Sequence, residues 1–447
     1  MWLSISKGVF LFGVFILLTA VFNSNFFGRL DDPHKNFQRD SESLIIGRLA
    51  LSEREGVFSQ SGLPGWYESF LVDQYVIYLD GGFADKDLYN TYNSQNGGQG
   101  MLFSVLDKLS PYSKESNLKG FYMLTAALLA AFMTAFLYWV RTNFGILAVL
   151  TTLLLILWSD WIVIFGKNLW WSLWSFYLPF IFFLLLLNRE VRRFKKQVIQ
   201  SKAFFLGAFA VLFIKCFITG YEYITTTLLM AITPLVYYGI QERWSIRVLV
   251  TRTLWTSLGF LAALVSSVLL LIFQLSGKKN LEAANGVDYL IQTFLRRTHA
   301  SSDRFSEAYT ESLEATVTVV LDKYLAGEAF VFKMTNGVFT VAFKEVIFVF
   351  MAFTLVFIGL KWTQSLSEQQ WRRGLALAIA MWFSILAPLS WLVIFKSHSY
   401  IHIHMNFIVW YMPFMLLGFV WIGYVLSCAC SGLFKRSSIA IRYWNGG

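Results

Sequence analysis

The chain has 447 residues, of which 56% are hydrophobic, 18% aromatic and only 14% charged, and its net charge is +10. Soluble domains carry about 25% charged residues, so this balance excludes a soluble globular protein and indicates an all-α polytopic membrane protein. The positive charge requires no nucleic acid, because basic cytoplasmic loops account for it, and three cysteines make no disulfide framework.

A membrane-spanning helix needs about 20 apolar residues. Ten stretches qualify, beginning near Gly8, Phe121, Phe144, Leu169, Ala203, Ile224, Leu254, Phe339, Leu375 and Phe407. The first follows Lys7, as in a signal peptide, but "VFNSNFFGRL" offers no good small-residue cleavage site, so it is expected to remain as an anchor. On this division residues 1–27 hold the first span, 28–118 a long loop, 119–275 spans two to seven, 276–338 a second long loop, and 339–447 spans eight to ten with a tail. All belong to one integral membrane domain.

Basic residues set the orientation. Arg141, "REVRRFKK" (189–196), Arg243, Arg247, Arg252, Lys361, Arg372, Arg373, Lys435, Arg436 and Arg442 all fall in alternate connections. Both termini are therefore expected in the cytoplasm, and the two long loops outside. Cys216 then lies on the opposite side from Cys428 and Cys430, which argues against pairing them.

The polar groups of interest collect in the outer connections. In the first, "SESLIIGRLALSERE" (41–55) reads as a short amphipathic helix lying along the membrane surface. Asp40, just before that helix, is either an N-cap or a base able to take a proton from an attacking hydroxyl; Glu42 shares the second role. "LPGWYESFLVDQYVIYL" suggests another amphipathic helix, and "NTYNSQNGGQG" reads as a Gly-rich polar turn that contains Gln99.

Farther along, "FGKNLWW" offers Lys167 and Asn168 as a cation and an amide for a phosphate, or as a lysine snorkelling to the interface. Asp160, in the outer half of the third span, raises a similar question. In "IKCFITGYEYITT", Lys215 and Glu222 flank Gly220 and Tyr221, either as a self-neutralising pair or as part of a site. "YTESLEATVTVVLDKYL" is compatible with an interfacial helix, and "LRRTH" places Arg296, Arg297 and His299 outside. Paired guanidinium donors suit phosphate, although loop arginines also bind lipid headgroups.

"KSHSYIHIHMNFIVWYMP" (396–413) crowds Lys396, His398, His402 and His404 together. On a helix His398 and His402 share a face, whereas His402 and His404 suit an extended segment. The spacing lacks a metal signature, and with Lys396 beside them the imidazoles fit an anion better. No metal or other cofactor is expected. Neither a P-loop, a GxSxG motif nor a Rossmann fingerprint occurs. Outside the membrane a synthetic reaction must draw on a pre-energised donor, and a lipid-linked sugar phosphate meets that need. Fixed cations would stabilise its departing anion.

A long outer loop that opens with two acids and a helix ending in Gly resembles the GT-C superfamily of integral membrane glycosyltransferases, of the protein mannosyltransferase and aminoarabinose transferase type. In "DSESLIIGRLALSEREG", Asp40 and Glu42 look like the acidic motif and Gly56 like the terminal glycine, with Ser41 intervening where the family usually keeps its acids adjacent. The resemblance implies transfer from a polyprenyl-phosphate sugar to a cell-envelope glycan or lipid at the periplasmic face of a bacterial inner membrane. It implies Asp40, Glu42 or Glu222 in catalysis. Lys167, Asn168, Lys215, Arg296, Arg297, Lys396, His398 and His402 would hold the donor phosphate, and Tyr221, Gln99 and His299 would contact substrate. The alternatives are an O-antigen-type polymerase or ligase, and a transporter or flippase of lipid-linked saccharides.

Overall fold

The computed structural model describes residues 2–30, 32–67, 73–80, 89–193, 200–277, 283–334 and 337–444. Among the described residues eight helices are long and apolar enough to cross a membrane: Lys114–Phe144, Trp174–Arg192, Ser201–Thr219, Ile224–Gln241, Ile246–Ser276, Phe343–Trp362, Glu368–Ile394 and Phe414–Ser431. Two shorter apolar helices, Gly8–Ser24 and Ile146–Leu157, occupy the first and third predicted positions. The third is extended past a break at Trp158 and Ser159 by Asp160–Phe165, so the pair reaches the length that a span requires. The protein is an all-α, multi-pass membrane protein.

The odd-numbered connections meet one another. Leu169, after the third span, bonds Glu42 after the first; Arg297, after the seventh, bonds Glu222 after the fifth; and Tyr411, after the ninth, donates to the Ala329 carbonyl after the seventh. The even-numbered connections are held together separately. Arg192 donates to the Thr142 carbonyl at 2.7 Å, Arg252 grips Glu190 with both terminal nitrogens at 2.9 and 2.6 Å, and Arg373 donates to the Asn143 carbonyl at 2.8 Å. The bundle therefore has two distinct polar ends.

At the end built by the odd connections, the structure departs from the sequence reading in three places. The Arg39–Glu55 helix does not lie on a surface: residues 42 to 52 are all buried, and it packs on the Gly98–Leu109 and Asp73–Leu79 helices. "LIIGRLAL" explains this, because its apolar side chains point all round the helix. Its one charge, Arg48, is enclosed by three carbonyl acceptors, Gly56, Val57 and Ser59, at 2.6 to 3.0 Å. Gly56 ends the helix at φ 99°, a backbone conformation that glycine adopts at little cost.

The second stretch, 63–79, is not one helix. Strand Gly65–Tyr67 pairs antiparallel with Tyr89–Thr91, and among the described residues of the stretch Asp73–Leu79 is helical. The segment around 309–325 divides at Ala315 into Thr310–Glu314 and Val317–Ala326. It then leads into an antiparallel hairpin of Glu328–Met334 and Gly337–Ala342.

Candidate functional site

Two polar clusters sit on either side of the segment 166–173. The first is built on the start of the Arg39–Glu55 helix. Glu42 is 6% exposed. Its Oε1 accepts from the hydroxyls of Tyr75 at 2.7 Å and Tyr122 at 2.6 Å, and its Oε2 accepts from the Leu169 amide at 2.8 Å. Burial still pushes its carboxyl above the usual carboxylate range, against these donors and Lys167. Lys167 lies with Nζ 5.5 Å from the Tyr122 ring centre. It makes no hydrogen bond or ion pair among the described residues, and burial lowers its ammonium pKa while Glu42 opposes the shift.

His34, also here, is 5% exposed, and its Nε2 is without a partner among the described residues. Burial, reinforced by Lys167, lowers its pKa to about 4, so the ring is neutral near pH 7. Gln38, not Asp40, occupies the N-cap position. Asp40 is the second residue of the helix, within its first turn, and is partly exposed, with no hydrogen bond or ion pair among the described residues. The capping alternative is thus corrected, and the carboxylate is left uncommitted.

The second cluster centres on Glu222, which is 9% exposed in the turn between the fifth and sixth spans. Gly220 makes that turn possible: its φ is +61°, and a Cβ there would lie 2.4 Å from Gln95 Cβ. Lys215, fully enclosed, anchors the turn by donating to the carbonyls of Gly220 at 2.8 Å and Glu222 at 2.6 Å. It pairs with the Glu222 backbone and not with the carboxylate, which corrects the simple ion-pair alternative.

The Glu222 carboxylate turns instead to Arg297 Nη1, 2.6 Å from Oε1. Arg297 Nη2 donates to the Tyr92 hydroxyl at 3.2 Å. The other oxygen, Oε2, lies 3.3 Å from His398 Nε2, yet neither atom makes a well-formed hydrogen bond among the described residues. Burial opposes the charged form of Glu222, but Arg297 and then His398 outweigh it and hold the carboxyl well below its usual range. Burial likewise lowers His398 despite Glu222, which leaves a neutral imidazole. The rings of His398 and His402 meet at a tilt of 50° with centres 4.4 Å apart, on one face as helical spacing predicts. His404 does not continue as an extended segment: it lies in the helical turn Ile403–Asn406, 6.0 Å from His402.

The segment 166–173 joins the clusters. Its Leu169 amide reaches Glu42, its Trp170 ring stands edge-on to Tyr92 at 5.2 Å, and its Trp171 ring stacks on Tyr223 at 5.5 Å. Gln99 supports it by donating to the Trp170 carbonyl at 3.3 Å.

The other predicted residues divide by what their polar atoms already do. Asn168 spans Phe37 and Trp171 with both side-chain atoms, at 3.0 Å each. Lys396 donates to the carbonyls of Leu313 and Ala315. Each commits part of its donor set to backbone carbonyls, so these two residues and Lys215 brace loops. Asp160 pairs with Arg29 at 2.9 Å, which ties the third span to the first connection. Arg296 covers the Tyr309 ring at 4.8 Å, Tyr221 meets Ser267 at 3.1 Å, and exposed His299 contacts the Val393 carbonyl at 2.8 Å. None of these three makes a hydrogen bond or ion pair with Glu42 or Glu222 among the described residues.

Tyr75, Tyr92 and Tyr122, together with the unsatisfied nitrogen of His34, were not singled out in sequence. Their positions in or beside the outer connections were the available signal. Among the described residues no cluster of three or more His, Cys, Asp or Glu is arranged to hold a metal ion. All three cysteines are free. No protein-family model, curated protein or solved structure matches the chain.

Proposed function

We propose that the protein is a membrane glycosyltransferase that moves a sugar from a polyprenyl-phosphate donor to a cell-envelope glycan or lipid, working at the periplasmic face of a bacterial inner membrane. The observation that carries this reading is a set of buried or partly buried ionisable groups with free valences at the end built by the odd connections. Lys167 and His34 keep theirs beside Glu42, Asp40 keeps its own at the start of the helix that carries Glu42, and Glu222 Oε2 and His398 Nε2 face each other without a well-formed hydrogen bond. At the opposite end, Arg252 and Glu190 satisfy each other.

A free carboxylate and a free cation supplied by neighbouring outer connections serve an acid–base displacement. Asp40 takes the proton of the acceptor hydroxyl as its oxygen attacks the anomeric carbon. The carbon–oxygen bond to the donor phosphate breaks, and the phosphate leaves with the electron pair. Lys167 stabilises that anion, with Arg297 as a second cation drawn partly from Glu222. Glu42, with both oxygens engaged, orients Tyr122 and the Leu169 segment beneath Lys167 and does not move a proton itself. The basic residues at the even-connection end support a cytoplasmic location for that end.

The test is reconstitution in vesicles with a panel of labelled polyprenyl-phosphate sugars and extracted envelope acceptors. Transfer of label to acceptor supports the proposal. Movement of intact donor across the bilayer without transfer would replace it with a flippase.

A further inference from the structure

The Ala283–Arg297 helix follows the seventh span and closes over the Glu222 cluster, yet half of its apolar surface is bare. One face is occupied. Gly286 lies against Leu275, whose side chain would be 3.4 Å from a Cβ at that position, Leu290 packs on Leu271 and Leu275, Thr293 is buried, and Arg297 bonds Glu222. The adjacent face is largely open, although the Phe294 ring also meets Phe395 edge-on at 5.9 Å. Val287, Ile291 and Phe294, spaced at four and three residues, are 41%, 50% and 53% exposed. That spacing sets them in one stripe. Asp288 and Gln292 lie on the side away from the packed face.

The seventh span shows what covers such a stripe. On it Leu261, Val265, Leu269 and Phe273 are 58%, 50%, 59% and 75% exposed at four-residue spacing, a lipid-facing ridge on a 31-residue apolar helix. The last of these, Phe273, is two residues from Leu275, on which the Ala283–Arg297 helix rests, about 3 Å along the axis and on nearly the opposite face of the span. The bare stripe therefore lies at the depth where the span's lipid-facing ridge ends. The connection between the two helices also carries Lys278 and Lys279 in the sequence, cations that suit an anionic headgroup layer.

We infer that the Ala283–Arg297 helix docks on the bilayer surface through Val287, Ile291 and Phe294, with the acyl–headgroup boundary of the leaflet as its partner. An amphipathic helix with aliphatic and aromatic residues on one face and polar ones on another lies in that boundary plane. Because the same helix ends in the arginine that holds Glu222, lipid contact and the seating of Arg297 become properties of one rigid element. The inference does not rest on the proposed chemistry.

The experiment is site-directed spin labelling of the full chain in phosphatidylethanolamine and phosphatidylglycerol vesicles, with exposed Cys430 replaced by Ser. Labels go on Ile291→Cys, on Gln292→Cys as the polar-face reference, and on Leu269→Cys as the lipid-facing reference. Accessibility to oxygen, which partitions into lipid, is compared with accessibility to a water-soluble nickel chelate. The expected result is an oxygen-to-nickel ratio at Ile291 several-fold above that at Gln292, at a shallower depth than Leu269. A ratio equal to that at Gln292 would mean that the face is in water. Low accessibility to both reagents would mean that protein covers it. Either result overturns the inference.

Discussion

Glu222 and Arg297, 75 residues apart in sequence, meet at 2.6 Å and join the turn after the fifth span to the helix after the seventh. Removing one partner of a buried ion pair costs about 3–5 kcal/mol, whereas replacing both with apolar groups is often neutral. Arg297→Met is therefore expected to lower the melting temperature of the detergent-solubilised protein clearly, and Glu222→Met with Arg297→Met to recover most of the loss. A double variant as unstable as the sum of its singles would show that the two side chains act independently.

Lys215 and Lys167 give opposite outcomes under the same substitution. Lys215→Met leaves the carbonyls of Gly220 and Glu222 without their donor, a loss of about 3 kcal/mol for charged hydrogen bonds in a buried site. Lys167→Met removes no hydrogen bond and is expected to cost less than about 1 kcal/mol while abolishing donor use. Thermal unfolding beside a transfer assay separates the two. Equal stability of both variants would refute the structural role given to Lys215.

The buried histidines give stability a pH slope of definite sign. Burial, with His398 and Arg297 opposing protonation more than Glu222 favours it, brings His402 down to about 3, and burial brings His34 down to about 4. Below the unfolded value of about 6.5 the unfolded chain takes up protons that the folded one refuses. Stability is then full above that value and declines as pH falls, by about 1–2 kcal/mol for each ring at pH 5. His402 is faced by His398, Glu222, Arg297 and His404. Glu222 has the opposite origin and a lower window: its depressed carboxyl stabilises the fold above about 4.3 and loses that contribution only in stronger acid. Melting curves from pH 7.5 to 5 should fall less steeply for His34→Asn with His402→Asn than for the wild type. Parallel curves would contradict the assignment.

The spans were legible because hydropathy over 20 residues depends little on tertiary context, and even the interrupted third span begins where the apolar run does. The burial of Arg39–Glu55 was not legible, since Arg48 and the neighbouring charges imitate a surface helix until the carbonyls that enclose Arg48 are known. The 328–342 hairpin did leave a signal: "FVFKMTNGVFTVAF" places Asn336 and Gly337 between aromatic and β-branched runs. For the candidate site, residue type identified which side chains are ionisable but not how they are spent. Lys215 and Lys396 were indistinguishable from Lys167 in sequence, because their partners are backbone carbonyls exposed by distant turns.

Glu42 and Asp40 are the sharpest test of residue roles. Glu42→Gln replaces one acceptor oxygen with a donor among Tyr75, Tyr122 and the Leu169 amide, so one donor faces another at an expected cost of about 1–3 kcal/mol. Asp40→Asn disturbs no bond among the described residues and should leave stability unchanged.

The most direct measurement is therefore the initial rate of sugar transfer by Asp40→Asn in vesicles, at saturating polyprenyl-phosphate donor, beside its melting temperature and donor binding. The account predicts a rate reduced by about 10²–10⁴, the range for loss of a general base, with unchanged melting and donor binding. Transfer at the wild-type rate would contradict it.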